Sequence, residues 1–526
     1  MRAHTPATGP RVGVLAEALV RCDSTLLATV FQNLITNAIT SRRRDRQFEK
    51  RICCTRQAQD RRVTVEDDAV GFDPEFAFNP LVFMSPAKAR GSDPRSAATS
   101  SRAMAARYAS TRRIASACAL SSRCGHTRRL QVDCDRAFAP RVSVMRGFNP
   151  DRGFGVYVHW PYCARICPYC DFNVYAAKAR DTAPLFDAIL ADLAGWRART
   201  GARRADSIFL GGGTPSLMTG GQVAQLIAEV DRLWGLKPGA EITIEANPDD
   251  AARFADFAAA GVNRLSLGLQ SLDDERLKFL GRTHSSADAL KAFALAGAAF
   301  RSVSLDLIYA QPGQDAAAWR AELARVLELG ADHLSLYELT IEPGAAFAFA
   351  VKRKDWAPLD DDRSAELYEI TQAMTGEAGY DAYEISNHAR GRQHQSSHNR
   401  IYWASGDWAG VGPGAHGRFT TGEERWATEA ADRPGAYMQQ VTSNGLGWAM
   451  VEKLEDLAHA RERVAMGLRV AEGFRVSDVH ALGQMPDAMR VAEFMRDGLV
   501  SASEDRIALT PAGRLLADRI ASEIAP

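Results

Sequence analysis

Residues 156–172 read Val-Tyr-Val-His-Trp-Pro-Tyr-Cys-Ala-Arg-Ile-Cys-Pro-Tyr-Cys-Asp-Phe, a β-like run that delivers three cysteines onto a loop. From residue 145 to the C-terminus, Cys163, Cys167 and Cys170 are the only cysteines. Three thiolates on a loop leaving a strand can hold three irons of a [4Fe-4S] cube and leave the fourth iron without a protein ligand. An open iron of that kind can chelate the amino and carboxylate groups of S-adenosylmethionine (SAM). An electron from the cluster can then split the sulfonium to a 5′-deoxyadenosyl radical. A zinc site would want a fourth Cys or His at ligand spacing, and the nearby His159 falls inside the strand rather than on the loop. A structural disulfide does not suit a chain of nine cysteines whose first thirty residues lack the basic, apolar, small-residue order of an export signal.

Outward from the loop, the apolar pattern switches between the two periods of strand and helix. Helices are expected over 181–199, 220–234, 249–260, 273–280, 286–299 and 315–329, and strands over 207–210, 241–245, 264–269, 303–308 and 333–337. Alternation at this pitch builds parallel βα units into a full or partial barrel, where chemistry collects at the C-terminal strand ends. The polar residues fall there: Gly211 to Gly213 after one strand, Glu245 and Gln270 ending the next two, Arg282 after the following helix, and Asp306 in the strand beyond. Singly, each reads as a tight turn or a helix cap. Five in succession point to a site.

These segments carry a family resemblance. Tyr157-Val-His-Trp-Pro-Tyr-Cys163, Cys167-Pro-Tyr-Cys170, Gly211-Gly-Gly-Thr-Pro-Ser216, Glu245-Ala-Asn-Pro and Gly268-Leu-Gln-Ser resemble the radical SAM family of oxygen-independent coproporphyrinogen III oxidases and their relatives, the heme chaperones called HemW. The match runs from residue 147 to the C-terminus. It implies a [4Fe-4S] cluster on Cys163, Cys167 and Cys170, with Tyr157 and Tyr169 flanking SAM. It further implies that Gly212, Gly213 and Thr214 receive the amino-acid end of SAM, and that Glu245, Gln270, Arg282 and Asp306 fix its ribose, carboxylate or adenosyl portions.

Two features separate the branches. The oxidase branch continues with Gly and a fourth Cys two residues after the third; here the chain reads Cys170-Asp-Phe-Asn, the form of the chaperone branch. His398-Asn-Arg-Ile-Tyr-Trp403 resembles the motif proposed to hold heme there, with His398 as iron ligand and Tyr402 and Trp403 as flat apolar surface. Without the resemblance, His398 reads as one more histidine of a loop that also holds His388 and His394, with the aromatics in the core. Some members carry a cysteine just before this motif, where Ser396 and Ser397 stand here. The glycine-dense stretch 406–417 would either lie against a ligand or form a turn network, and His416 is a second candidate neighbour of heme or SAM.

At 526 residues the chain should hold more than one domain. Its zero net charge hides a split: residues 1–144 hold 24 Lys and Arg against 13 Asp and Glu, leaving 145–526 at net −11. Residues 23–39, with Asn33 and Asn37, resemble the asparagine box of histidine-kinase ATP-binding domains, and 65–74 resemble its next box, with Asp67 at the adenine position. Ala69 replaces the expected glycine and no glycine-rich lid follows. Residues 86–130 hold ten basic residues against one acidic, a composition that cannot bury enough apolar surface to order itself. The expectation is a degenerate kinase-like fragment joined by gene fusion or an over-extended start, with Met145 as the working N-terminus.

Residues 451–526 read as helices with a short hairpin in winged-helix order. Glu493, Asp497, Glu504 and Asp505 lie on or beside the candidate recognition helix and wing, which disfavours nucleic acid.

The fold class expected is α/β: a radical SAM partial (β/α) barrel with a C-terminal helical, winged-helix-like domain and a disordered N-terminal extension. The boundaries are 1–144 for the extension, 145–385 for the core, 386–450 for a heme-binding and barrel-closing segment, and 451–526 for the C-terminal domain. The function expected is a cytoplasmic heme chaperone with [4Fe-4S] and SAM as cofactors and heme as cargo. Its partners would be heme-acceptor proteins, an electron donor for the cluster, a second copy in a homodimer and a peripheral membrane contact. The alternatives are a coproporphyrinogen III oxidase and a radical SAM enzyme on an unrelated substrate.

Overall fold

The computed structural model describes residues 50–57, 60–67, 149–177 and 181–526. The asparagine box, the Arg-rich stretch, Met145 and the expected disorder of the extension lie outside the described residues. Within 1–144 the described part is an antiparallel hairpin of Lys50–Gln57 with Asp60–Asp67. Everything below concerns the separate unit Arg141–Pro526.

Six strands follow one another in space as they do in sequence: β1 (Phe154–Trp160), β2 (Ala205–Gly212), β3 (Leu236–Ala246), β4 (Arg264–Gln270), β5 (Ser302–Tyr309) and β6 (His333–Glu338), each parallel to the next. Helices cross between them: α1 (Ala183–Thr200), α2 (Gly220–Trp234), a 3-10 turn Pro248–Arg253 leading into α3 (Phe254–Ala259), α4 (Asp274–Phe279), α5 (Ser286–Ala299) and α6 (Ala316–Glu328). Local sequence sets their ends. Thr219 with Gln222 and Ser285 with Asp288 form capping boxes at α2 and α5, and Gly201 and Gly235 follow the last turns of α1 and α2. The helix expected over 249–260 opens as a 3-10 turn, with Pro248 as its first residue.

Alternate strand residues divide between two environments. Ile208, Leu210, Leu265, Leu267, Leu305, Leu307 and Leu334 pack outward into one core with the helices. Each such side chain contributes roughly 1.5–3 kcal/mol by leaving water. The residues between them, Phe209, Ser266, Ser304, Asp306, His333 and Ser335, line an inner cavity.

Beyond β6, β7 (Asn387–Ala389) adds antiparallel to one edge of the sheet. At the other edge β8 (Asp407–Val411) pairs parallel to β1 and leads into the antiparallel strands β9 (His416–Thr421), β10 (Glu424–Ala430) and β11 (Trp448–Lys453). The sheet stays open, its two edges being Asp381–Ala382, which pairs beyond β7, and β11. Helix α7 (Asp361–Glu377) precedes β7, and helix α8 (Ser397–Trp403) covers the N-terminal end of the strands. There Glu241 near the start of β3 accepts the N–H groups of Ser397 at 3.0 Å and His398 at 3.2 Å, a carboxylate against a helix N-terminus.

The helix expected from 452 begins instead at Asp456, because Trp448–Lys453 completes the sheet. The C-terminal domain has its own core around Val464, Phe474, Phe494, Ile507 and Ile520, and a three-stranded sheet of Phe474–Arg475, Arg506–Leu509 and Val500–Ala502. Its helices and short sheet have the winged-helix order.

Candidate functional site

The cysteine loop is stitched down at both ends. Tyr162–Cys163 pairs with Tyr175–Ala176, the Ala177 N–H donates to Cys163 O at 2.8 Å, and the Phe347 N–H donates to Pro168 O at 2.9 Å inside the loop. The loop after β2 backs it: the N–H groups of Gly213 and Thr214 donate to Trp160 O and Tyr162 O at 2.7 and 2.9 Å. Gly212 has φ +102°, and a Cβ there would lie 2.5 Å from the His159 ring, so only glycine allows this approach.

All three thiols face one cavity of about 780 Å³, on the scale of cofactor pockets, roughly 300–1,000 Å³. Burial pushes the Cys163 thiol up and the Cys170 thiol up to about 11, each raised further by its neighbouring cysteines. Ionising them together therefore requires a bound cation. Among the described residues no three Cys, His, Asp or Glu side chains converge tightly enough for a single metal ion. His159, the one candidate for a fourth zinc ligand, is occupied: Nδ1 lies 2.9 Å from Tyr157 Oη and Nε2 lies 3.0 Å from Asn173 O. A three-thiol set without a fourth ligand suits a cluster with one open iron.

Arg282 bridges loop and barrel. Its Nη1 donates to Cys167 Sγ at 3.5 Å, its Nη2 to Gly268 O at 3.2 Å and to Asn247 Oδ1, while its buried Nε has no partner among the described residues. Burial opposes its charge, but the neighbouring Tyr169 and Cys167 outweigh that and hold it cationic. A fixed guanidinium with an unmade hydrogen bond suits an anionic cluster or a ligand carboxylate.

On the inner wall, the Gly212 N–H donates to Glu245 Oε2 at 3.1 Å. Asp306 accepts from Ser266 Oγ at 2.7 Å and Ser304 Oγ at 2.9 Å. Gln270, ending β4, holds φ 66°, a left-handed conformation uncommon outside glycine.

Burial, with the charge of Asp306 adding to it and the Gly212 N–H opposing, pushes the Glu245 carboxyl from an ordinary 4.5 up to about 8. The folded chain thus holds a proton that the unfolded chain releases. The stability this supplies is complete below about pH 4.5 and is lost as pH rises through about 8. Allowing for screening by cavity solvent, on the order of 2 kcal/mol should disappear between about pH 5 and about pH 9 in the cofactor-free chain. Urea midpoints of the wild type and Glu245→Gln at both pH values check this, the variant being the flatter; equal slopes would contradict it.

The structure brings eleven of the sequence-derived residues to one cavity: Cys163, Cys167, Cys170, Tyr169, Gly212, Gly213, Thr214, Glu245, Gln270, Arg282 and Asp306. Tyr157, His398, Tyr402 and Trp403 are not among its lining residues. Tyr157 lies behind Phe209, their ring centroids 6.2 Å apart.

His398, expected as an iron ligand, is placed away from the cavity lining. The residue is 1 % exposed, its Nδ1 lies 2.7 Å from Ser207 Oγ and its Nε2 lies 2.7 Å from Tyr402 Oη, and its ring stacks on Phe209. Burial pushes it down to about 3, so it is neutral, and both ring nitrogens are hydrogen-bonded to hydroxyls. It sits beside Gly155 and Ser207, near the starts of β1 and β2, about 17 Å of strand from the cysteine loop. Trp403 is instead beneath the Arg469 guanidinium, 5.9 Å from its ring centroid.

The stretch 406–417 takes the turn-network alternative. A Cβ on Gly410 or Gly412 would lie 2.0 Å from His416 O or 2.2 Å from His159 O, so these glycines admit backbone rather than a ligand. His416 is exposed beside Glu429 at 3.8 Å and is no neighbour of the cavity. Sequence reasoning missed the inner wall of Arg264, Ser304, His333, Ser335 and Tyr337. Its signal was present: parallel strands covered on both faces read as continuous apolar runs, whereas 302–309 and 333–338 alternate.

Comparison with known proteins agrees with this geometry. Residues 157–325 match the Radical SAM superfamily and residues 454–516 the HemN C-terminal domain. The chain is 37 % identical over 377 residues to the heme chaperone HemW of Mycobacterium tuberculosis, covering 70 % of this chain and 94 % of that one. It is 40 % identical over 291 residues to HemW of Escherichia coli, covering 54 % and 75 %. It is 42 % identical over 325 residues to the bovine mitochondrial protein called radical S-adenosyl methionine domain-containing protein 1, covering 60 % and 73 %. Among solved structures it resembles the coproporphyrinogen III oxidase HemN of Escherichia coli, with TM-score 0.62 and 24 % identity over 72 % of this chain and 92 % of that one, a likeness of fold. Superfamily membership implies the [4Fe-4S] cluster and SAM that the three thiols and the cavity suit. With its barrel, its three-cysteine loop and its C-terminal domain all matched, the chain belongs to the HemN/HemW-like family of the radical SAM superfamily.

Proposed function

We propose that the chain is a heme chaperone, binding heme in the barrel cavity and passing it to acceptor proteins. The observation that carries this reading is the residue at position 172. Where the oxidase branch places its fourth cysteine, Phe172 stands 61 % exposed at the cavity wall, offering apolar surface and no thiol. The relatives called HemW, at 31–40 % identity, support the same branch.

When bound, the cluster and SAM supply one-electron chemistry. The chain's own part is to hold them: Arg282 presents fixed donors, Gly212 and Gly213 let the loop after β2 pack closely against His159 and the backbone of the cysteine loop, and Glu245 stays protonated near neutral pH as a hydrogen-bond donor. Heme acceptors, an electron donor, a homodimer, a peripheral membrane contact and a cytoplasmic setting belong to this proposal. Among the described residues no helix is long and apolar enough to cross a membrane.

The likeness of fold to HemN favours the oxidase as second reading. One experiment separates the two. The heme-loaded chain, mixed with an excess of an apo heme protein, should hand over its heme, read as a shift of the Soret band. The reconstituted chain given SAM, reductant and coproporphyrinogen III should release no CO2 above background. CO2 release with no transfer would replace the chaperone reading by the oxidase.

A further inference from the structure

We propose that Arg514 and Tyr368 form a carboxylate-binding subsite that takes a propionate of a tetrapyrrole cargo at the end of the cavity bounded by the C-terminal domain. The inference rests on the chaperone reading for its cargo and on separate residues for its site.

Three arginines of the C-terminal domain line this end of the cavity: Arg469, Arg514 and Arg519. Two are already neutralised, Arg469 by Asp518 and Arg519 by Glu523 at 2.8 Å. Arg514 has no carboxylate partner among the described residues. Its position is fixed by the turn it ends, Pro511–Arg514, where Thr510 Oγ1 accepts the Gly513 N–H at 3.2 Å and donates to Gly498 O at 2.6 Å.

Beside it on the cavity wall, from α7, is Tyr368. This side chain is 7 % exposed, and the group beside its hydroxyl is the Arg514 guanidinium, itself a donor, so the phenol O–H has no acceptor among the described residues. A buried donor left unmade costs free energy, and a bound acceptor would recover it. The charge of Arg514 is felt here: burial raises the Tyr368 phenol and Arg514 pulls it back, and burial followed by Arg514 pushes His388 down to about 4. A guanidinium and a phenol that both lack an acceptor are the donor set for a carboxylate.

The same cavity says what the carboxylate is attached to. Tyr337 and Leu515 line it while remaining 43 % and 40 % exposed, apolar surface that the described residues leave uncovered. A ligand with a flat apolar body and an acid at its edge satisfies both. The carboxylate of SAM is the other source of this chemistry, but its expected partners, Arg282 and the loop of Gly212, stand at the cysteine end.

The test uses the full reconstituted chain, titrated anaerobically with heme, with heme dimethyl ester and with SAM. Arg514→Gln and Tyr368→Phe should weaken heme about 10–100-fold and about 3–10-fold. The ester should bind the wild type as weakly as heme binds Arg514→Gln, and the substitution should leave ester and SAM affinities unchanged. Equal heme affinity in the wild type and both variants would overturn the subsite while leaving the chaperone reading standing. A loss of SAM binding in Arg514→Gln would assign the site to SAM and overturn it also. No heme binding by the wild type would sink the chaperone reading, and the subsite with it.

Discussion

Cys167→Ser should leave the reconstituted chain without the broad visible absorbance of an iron–sulfur cluster and without measurable SAM binding. A serine hydroxyl stays protonated where a thiol ionises, so the variant offers two ligands in place of three. Cys163 and Cys170 are themselves held protonated by burial until metal binds, and two such groups cannot hold a cube. The fold should not notice. Cys167 is partly exposed on a loop, and the hydrogen bond its sulfur takes from Arg282 at 3.5 Å is of the weak sulfur kind. The urea midpoint of the cluster-free variant should shift by no more than about 0.5 kcal/mol in stability. Iron and sulfide analysis, the visible spectrum and SAM titration read the result. Retention of cluster and SAM binding would show that the three-thiol loop is not the metal centre.

His398→Ala should have the opposite profile, a large effect on folding and little on heme. Removing the ring strands Ser207 Oγ and the Tyr402 hydroxyl, both hydrogen-bonded to it at 2.7 Å, and opens a cavity beside Phe209. Loss of a buried aromatic ring costs about 3–5 kcal/mol and each stranded polar group about 1–3 kcal/mol, part of which entering water recovers. A net loss of about 3–5 kcal/mol in urea unfolding is expected. The fraction that remains folded should bind heme within about threefold of the wild type, since the residue is not part of the cavity wall. Heme affinity reduced tenfold or more with stability unchanged would restore His398 as the ligand.

That residue shows where sequence reading stops. The spacing from His398 to Tyr402 to Trp403 is four residues and then one, which on a helix puts the first two on a common face. Spacing does not say whether that face meets a ligand or the barrel floor. Glu241 decides it, by accepting the N–H groups at the start of α8 and seating the helix at the N-terminal end of the strands, where barrels keep stability rather than chemistry. Glu241 lies some 157 residues away from His398 in sequence, so no local pattern could have supplied it.

The strand-end residues were legible for the converse reason. Glu245 and Gln270 close apolar runs whose direction is fixed by the parallel βα order, and in a parallel barrel every such end comes to one face, while Asp306 stands within its strand and faces the barrel interior. The three cysteines needed no fold at all. The strands β7 to β11 were missed because 407–411 is short and opens on a charged residue, and 448–453 is mostly exposed, so neither reads as an apolar run. Arg514 was unremarkable in sequence. Its meaning comes from the pairing of its two neighbours and from a phenol without an acceptor among the described residues, on a helix some 146 positions earlier, Tyr368.

The measurement that bears most directly on the chaperone reading is an anaerobic heme titration of the full reconstituted chain, followed by absorbance. The account predicts saturable binding of one heme per chain, with the same endpoint in Cys167→Ser if the cluster is not itself the heme site. A linear, unsaturable rise like that of heme with an unrelated protein would contradict it, and would direct attention to coproporphyrinogen III as the substrate of the same cavity.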